Sequence, residues 1–393
     1  MGGPAVSAPS TGPGVGAFGP PPNPPSPPSP PSPPGPGAPP GGAGRFALSR
    51  RTLRLLVLLL SIVLVGAVGA RIHPPYVLFR AGPVYDTLGA IDGKPVIEVN
   101  GAPTYDATGN LAFTTVAVYG GREREITLWE YLLTHVQPDT EIRPIDEVYR
   151  PDVTREQIQE QNKAQMADAQ AEAKVVALRA TGRTVPETVS ISAVLKGGPA
   201  EGVLRKGDRL VTVDNAAVTS AEVLRGAIRA AGDRPVALVV RRDGADVPLQ
   251  VRSIEQDGRR MIGVGLAIDF AFPVEVSINA GDIGGPSAGL MFSLGVYDRL
   301  TPGSLTGGAK IAGTGTIADD GSVGPIGGID HKMRGARSAE GSDWFLAPAD
   351  NCGDVRGKVP DGLHVVKVAS FDQARQAVEA IAGGRGDSLA TCG

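Results

Sequence analysis

From Leu55 to Ala70 the chain carries only apolar or small side chains and no charge. A helix that is apolar all round belongs either in the centre of a large core or in a lipid bilayer. Four arginines just upstream, Arg45, Arg50, Arg51 and Arg54, favour the bilayer. If Arg54 and Arg71 snorkel, the run extends through Leu53 and Ile72 and approaches the ~20 residues needed to span. The arginines then predict a cytoplasmic N-terminus, with everything after Arg71 outside. A cleaved signal peptide is the rival reading, since Val68-Gly69-Ala70 suits a signal peptidase. The long segment ahead of the arginines favours a retained single-pass anchor over 53–72.

That upstream segment, residues 1–44, has no charged side chain and repeats Pro-Pro-Ser-Pro. It cannot bury a core, so a disordered, polyproline-like tail is expected, serving as a spacer or as a ligand for a proline-reading partner. The remaining length allows two or three domains, and a net charge of -3 carries no nucleic-acid signal. The only cysteines, Cys352 and Cys392, both follow the apolar run, which allows one disulfide in an oxidising compartment. Four histidines are scattered, with no His-Glu-x-x-His and no paired Cys-x-x-Cys, so no metal site is expected. No Gly-x-x-x-x-Gly-Lys-[Ser/Thr] occurs, so neither ATP nor any other cofactor is implied.

Between the apolar run and the C-terminal half lie two less legible segments. Residues 76–150 mix short β-type runs, Lys94 to Val99 and Leu111 to Val118, with the turn signals Asp92-Gly93 and Asn100-Gly101, and read as a β-rich domain. In 151–182, Thr154-Arg155-Glu156-Gln157 is a capping box that opens one helix running to about Ala180. That helix is a spacer, a packing element, or a polar face lining a substrate entrance.

Residues 183–255 contain Ser192-Ala193-Val194, Gly197 to Leu204 (GGPAEGVL), Lys206 to Val211 (KGDRLV) and Val236 to Arg241. Ser220 caps an amphipathic helix with Val223, Leu224, Ala227 and Ile228 on one face, and the helix stops at Gly232. As a set these resemble a PDZ domain of exported bacterial proteases. The resemblance implies a groove between that helix and a strand, where an extended peptide adds as a further strand. Val194 and Ile228 are the groove residues expected. The loop before the strand, Pro186 to Val189, lacks a Gly-Leu-Gly-Phe form.

Chemistry concentrates further on. Gly284-Gly285-Pro286-Ser287-Ala288-Gly289 precedes a run of small and apolar residues to Leu300 that reads as a helix, and Ile326 to Lys332 reads Ile-Gly-Gly-Ile-Asp-His-Lys. A serine hydroxyl needs a positioned base, and a lysine serves as one only where a dry environment lowers its pKa. Ser287 at a helix N-terminus would have free N–H groups beside it for an oxyanion. Gly284, Gly285 and Pro286 would let a substrate backbone come close. Gly285 to Gly289 also fits the nucleophile elbow of α/β-hydrolases with His364 or His331 as base, but that elbow needs upstream strands of its own sheet. Lys310 reads as an exposed charge at a strand start.

The Gly-Pro-Ser-Ala-Gly loop, Ala312 to Ile317 (AGTGTI) and Gly321 to Lys332 together resemble the proteolytic domain of the Lon family of serine proteases, over 256–393. The resemblance implies Ser287 as nucleophile, Lys332 as base and Thr314 as the lysine's contact. Lon-type loops often place an aspartate three residues before the serine; here Gly284 stands there and Asp282 is the nearest acid.

The expected fold class is α+β multidomain: a disordered tail, one transmembrane helix, a β-rich domain, a PDZ domain and a Lon-type α+β proteolytic domain. This order resembles membrane-anchored bacterial Lon-like proteases without an ATPase. It implies an ATP-independent endopeptidase outside the cytoplasmic membrane, acting on proteins or peptides, with a homo-oligomer compatible. A catalytically silent PDZ adaptor and a structural envelope protein are the other classes.

Overall fold

The computed structural model describes residues 49–121, 125–137, 139–149, 153–256 and 258–392. The proline-rich tail and Arg45 lie outside the described residues. The apolar run forms helix α1 (Arg50–Gly69), long and apolar enough to cross a membrane, with Gly69 its buried residue.

A first group of elements follows: strands β1 (Tyr76–Asp86) and β2 (Asn110–Gly120), helix α2 (Leu128–Thr134), strand β3 (Glu141–Pro144) and helix α3 (Arg155–Ala180). Thr154 opens α3 with a capping box closed by Gln157. Two orphan N–H groups are satisfied this way, so the helix starts where the sequence predicts. The PDZ region supplies β4 (Glu187–Val194), β5 (Arg209–Val213), α4 (Ala221–Ala231), β6 (Val236–Arg242), β7 (Ala245–Val251) and β8 (Val264–Phe270). The C-terminal region adds α5 (Gly289–Leu300), β9 (Lys310–Gly313), α6 (Ile329–Ala339), β10 (Trp344–Pro348), β11 (His364–Val368) and α7 (Phe371–Ala382).

Residues 76–150, expected as a β-rich domain of their own, are part of a larger unit. One six-stranded sheet runs in the order β11-β10-β9-β2-β1-β3 and so joins them to the C-terminal strands. β9 pairs in parallel with β2 on one side and β10 on the other, while β1 is antiparallel to β2 and β3. The physical reason is burial: Leu111 and Phe113 of β2 are fully buried, and local residues such as Tyr85, Val96 and Ile97 make up only part of the core that covers them. They pack into a core with the buried face of α3 (Ala173, Val176, Ala177), Leu290 to Leu294 of α5 and Val378 of α7. The opposite face of the sheet carries Ala112, Ala312 and Phe345 against Ile329, Met333 and Ala336 of α6. A disulfide joins Cys352 to Cys392, with Cα atoms 4.7 Å apart, and holds the C-terminal segment beside this second core.

The PDZ region has its own sheet, β7-β6-β5-β4-β8, and its own core around Ile191, Leu210, Leu224, Ile228 and Leu238. Ser220 caps α4 by accepting from the Val223 N–H, as its position predicts. The sheet extends beyond residue 255: β8 adds along β4, with Val194 opposite Val264.

Candidate active site

Strands β2 and β9 run side by side in parallel as far as the pair Phe113–Gly313. Thr114 and Thr314 are the next residue on each, and the Lys332 side chain enters the fork between them from the first turn of α6. Its Nζ lies 2.7 Å from the Thr114 carbonyl oxygen, 3.1 Å from Thr314 Oγ1 and 2.7 Å from Ser287 Oγ. Lys332 is 3% exposed, and burial pushes its pKa down to about 7. Desolvation penalises the ammonium, and no carboxylate offsets it. A neutral amine has two N–H donors and one lone pair. The two threonine contacts match the donors, which leaves the lone pair for the serine hydroxyl.

Ser287 is set by three elements. Its carbonyl accepts from Thr314 Oγ1 and from the Gly315 N–H, both at 2.9 Å, so the loop after β9 fixes its backbone. Helix α5 begins two residues later, with no side-chain cap. Among the described residues the N–H groups of Ser287 and Ala288 make no hydrogen bond, and they lie at the N-terminal, positive end of α5. On the other flank, the Gly285 N–H donates to the Asn162 carbonyl of α3 at 2.9 Å. The glycines are needed here. Gly285 has φ +86, and a Cβ on Gly284 would sit 2.8 Å from Asn162 Cβ.

A cavity of roughly 540 Å³ opens at Ser287 Oγ. Gly284 to Ala288 form one wall, Thr114 to Val116 and Val118 a second, and Asn162, Gln165 and Met166 of α3 a third. From Thr114 onward β2 is paired only by β1 among the described residues, so its second edge faces this cavity. Asp282 lines the cavity but is exposed and makes no hydrogen bond or ion pair with Ser287 or Lys332.

The expected residues divide accordingly. Ser287, Lys332 and Thr314 come together, and Gly284, Gly285 and Pro286 line the cavity beside them. The histidines do not reach the serine. His331 points away, its Nε2 3.1 Å from Glu141 of β3, and His364 stacks on Trp344 at 4.6 Å. Thr114 was not foreseen, because it acts through a backbone carbonyl that no side-chain motif marks. Asn162, Gln165 and Met166 were not singled out by number, but one of the readings open for this helix was a polar face lining a substrate entrance, and Asn162 and Gln165 lie in that position. Glu141, Asp330 and His331 bring their ligand atoms within 4.8 Å of one another, but Arg334 pairs with Asp330 at 3.7 Å, so the cluster reads as an ion-pair network.

The PDZ cavity, about 810 Å³, lies between α4, the hairpin formed by Ile254–Gln256 and Arg259–Met261, and β8. Leu224 and Ile228 line it from the helix; Ile262, Val264 and Leu266 line it from the strand side. Ile228 therefore faces the groove but is also core, at 5% exposure. Val194 does not line it. The strand at the groove is β8, the end strand of its sheet, and β4 with Val194 lies one strand further in. The expectation failed because the strand that completes this sheet is contributed after residue 255, beyond where the PDZ pattern in the sequence ends.

A family model described as the Lon protease (S16) C-terminal proteolytic domain matches residues 271–381, and a PDZ domain model matches residues 190–242. Among solved structures, the PDZ domain of an SdrC-like protein from Listeria monocytogenes is 22% identical, covering 20% of this chain and 85% of that one at a TM-score of 0.19. The corresponding domain from Listeria innocua is also 22% identical, covering 20% of this chain and 92% of that one, again at 0.19. With the two family matches falling on the two separately cored regions, the chain carries a PDZ domain ahead of a Lon-type proteolytic domain.

Proposed function

We propose that this protein is an ATP-independent serine endopeptidase, held at the cytoplasmic membrane by α1 with its catalytic region outside, that cleaves extended segments of exported or membrane-proximal proteins. The observation that carries the reading is the hydrogen-bond arrangement at Lys332: two acceptors for two donors, and a hydroxyl 2.7 Å from the remaining position.

In the reaction, the neutral Lys332 amine takes the Ser287 proton as Oγ attacks the scissile carbonyl. The Ser287 and Ala288 N–H groups receive the oxyanion at the head of α5. Lys332 then gives its proton to the leaving amine, and water, deprotonated by the same amine, hydrolyses the acyl-enzyme. Thr314 orients the lysine while clamping the Ser287 carbonyl, so one hydroxyl couples base and nucleophile. An extended substrate lies along the free edge of β2 from Thr114 to Val118, where main-chain hydrogen bonding is open. This geometry suits chains that are already unfolded, in keeping with a sequence that contains no phosphate-binding cradle.

The PDZ groove, bounded by α4 and the β8 edge, is a second peptide-binding surface on the same chain and serves to hold or gate substrate. The disulfide fits an oxidising compartment.

A peptide bearing a serine-reactive electrophile tests the assignment. Mass spectrometry should map the adduct to Ser287, and Lys332→Ala should abolish it in protein that keeps its melting temperature. An adduct that survives Lys332→Ala at undiminished rate removes the lysine from the mechanism. No adduct on folded wild-type protein favours the PDZ adaptor.

A further inference from the structure

Helix α2 turns its apolar stripe outward. Trp129, Leu132, Leu133 and Val136, the last just past the helix end, follow the i, i+3, i+4, i+7 spacing of one helical face. They are 41%, 48%, 54% and 74% exposed. The opposite side is the one that packs: the Tyr131 ring lies tilted against Tyr76 with centroids 4.9 Å apart, and Thr134 is buried. A surface helix in water presents the reverse pattern.

This stripe is tied by hydrogen bonds and a ring contact to the last turn of α1 and the residues after it. The Trp129 indole N–H donates to the Gly66 carbonyl at 3.0 Å, and the ring lies against Gly69, where a Cβ would come within 2.4 Å of it. The Leu128 N–H donates to the Ile72 carbonyl at 2.8 Å, and a capping box between Thr127 and Glu130 fixes where α2 starts. Ile72 is itself 47% exposed. The apolar run of α1, Leu55 to Ala70, rises only about 24 Å at 1.5 Å per residue, against a hydrocarbon core of about 30 Å. Apolar surface is therefore wanted beside its outer end, and an indole tied there matches the amphipathic rings that collect at a membrane interface.

We infer that the α2 face, Trp129, Leu132, Leu133 and Val136, is seated in the outer leaflet of the membrane that α1 crosses, so that the proteolytic unit rests on the lipid surface. The inference rests on the membrane-anchored reading of α1. Lipid is the occupant because a protein partner on this face would have to displace the bilayer immediately around α1.

The full-length protein has no free cysteine among its described residues, so single labels are available. An environment-sensitive fluorophore is placed at Val136→Cys, at Leu133→Cys as a second variant, at Leu59→Cys within α1, and at Lys206→Cys on the PDZ surface. Each labelled protein is reconstituted in phosphatidylcholine–phosphatidylglycerol vesicles with and without bromine on the acyl chains. Labels at positions 59, 133 and 136 should lose fluorescence to the brominated lipid, and the label at 206 should not. Quenching at 59 without quenching at 133 and 136 overturns the inference and leaves the anchor standing. Intermolecular disulfide formation by unlabelled Val136→Cys in those vesicles, with position 136 unquenched, overturns it in favour of a second copy. No quenching at 59 overturns the anchor and the inference together.

Discussion

Lys332 titrates without a charged partner, and this sets how activity and stability should depend on pH. Burial lowers its pKa to about 7, so in the proposed reaction the competent neutral amine accumulates above that value. Activity on a peptide substrate should rise through about pH 7 and level off; a profile flat from pH 5 to 9 with chemistry rate-limiting would exclude a lysine base. The same shift works against folding. Between about 7 and the ordinary lysine value of 10.5 the unfolded chain holds a proton that the folded chain lacks. Stability should therefore increase with pH across that window, by at most about 1.4 kcal/mol per unit, and Lys332→Met should remove the increment, as denaturant titrations at several pH values would show. In the proposed reaction nucleophile and base act as one unit, so Ser287→Ala and Lys332→Ala should each cost roughly a thousand-fold or more in kcat/KM, with little further loss in the double variant. Near-additive losses would mean separate roles. These side chains were legible in the sequence because their motifs state their chemistry. The Thr114 carbonyl was not, since any residue type supplies the same oxygen and only the divergence of two strands gives it a task.

Helix α3 shows the same divide between elements. Its start and end could be read from a capping box and a composition change, yet its alanine-rich second half gave no stripe to say what it packs on. The answer is α5 and the loop after β9, which lie far ahead in sequence. Its first half meets the loop that carries Ser287, so Gly284→Ala should force the loop and α3 apart at Asn162 and, in the proposed reaction, lower kcat more than it raises KM. Equal kcat in the variant would show that α3 does not set the serine. Further along, Glu172 is half-buried near Asp168, Asp319 and Asp320, and burial first, then these acids, raise its pKa to about 7. The folded state here binds the extra proton, so stability from this site is present at low pH and is lost as pH rises from about 4.5 through 7. Glu172→Gln should flatten that part of the profile and stabilise the protein at pH 8. A slope that survives in thermal melts would place its source elsewhere. The PDZ groove was misread at this scale too: Val194 belongs to an inner strand, because strand order cannot be inferred when the completing strand follows the recognisable pattern.

The whole molecule interleaves what the sequence presents in series. The proteolytic sheet takes β1, β2 and β3 from before the PDZ region and β9, β10 and β11 from after it. A fragment covering only 256–393 keeps Ser287 and Lys332 but loses Thr114 and the neighbour of β9. It should be insoluble or inactive, whereas 72–392 should fold and cleave short peptides; soluble, active 256–393 would contradict the shared core. Topology can be checked in the same frame. Protease added to spheroplasts should digest the PDZ and catalytic regions if α1 is an anchor with its arginines inside, and protection of the catalytic region would reverse that orientation.

Interleaving also governs when the protease can first act. Lys332 follows Thr114 by 218 residues, and at ordinary synthesis rates of about 5–20 residues per second the chain grows for about 10–40 s between them. Throughout that interval the β2 edge waits unpaired and there is no pocket in which an amine could shed its charge. In the proposed reaction a nearly finished chain is thus still inert, because the pocket that holds the base closes only when residues this far apart in sequence have met.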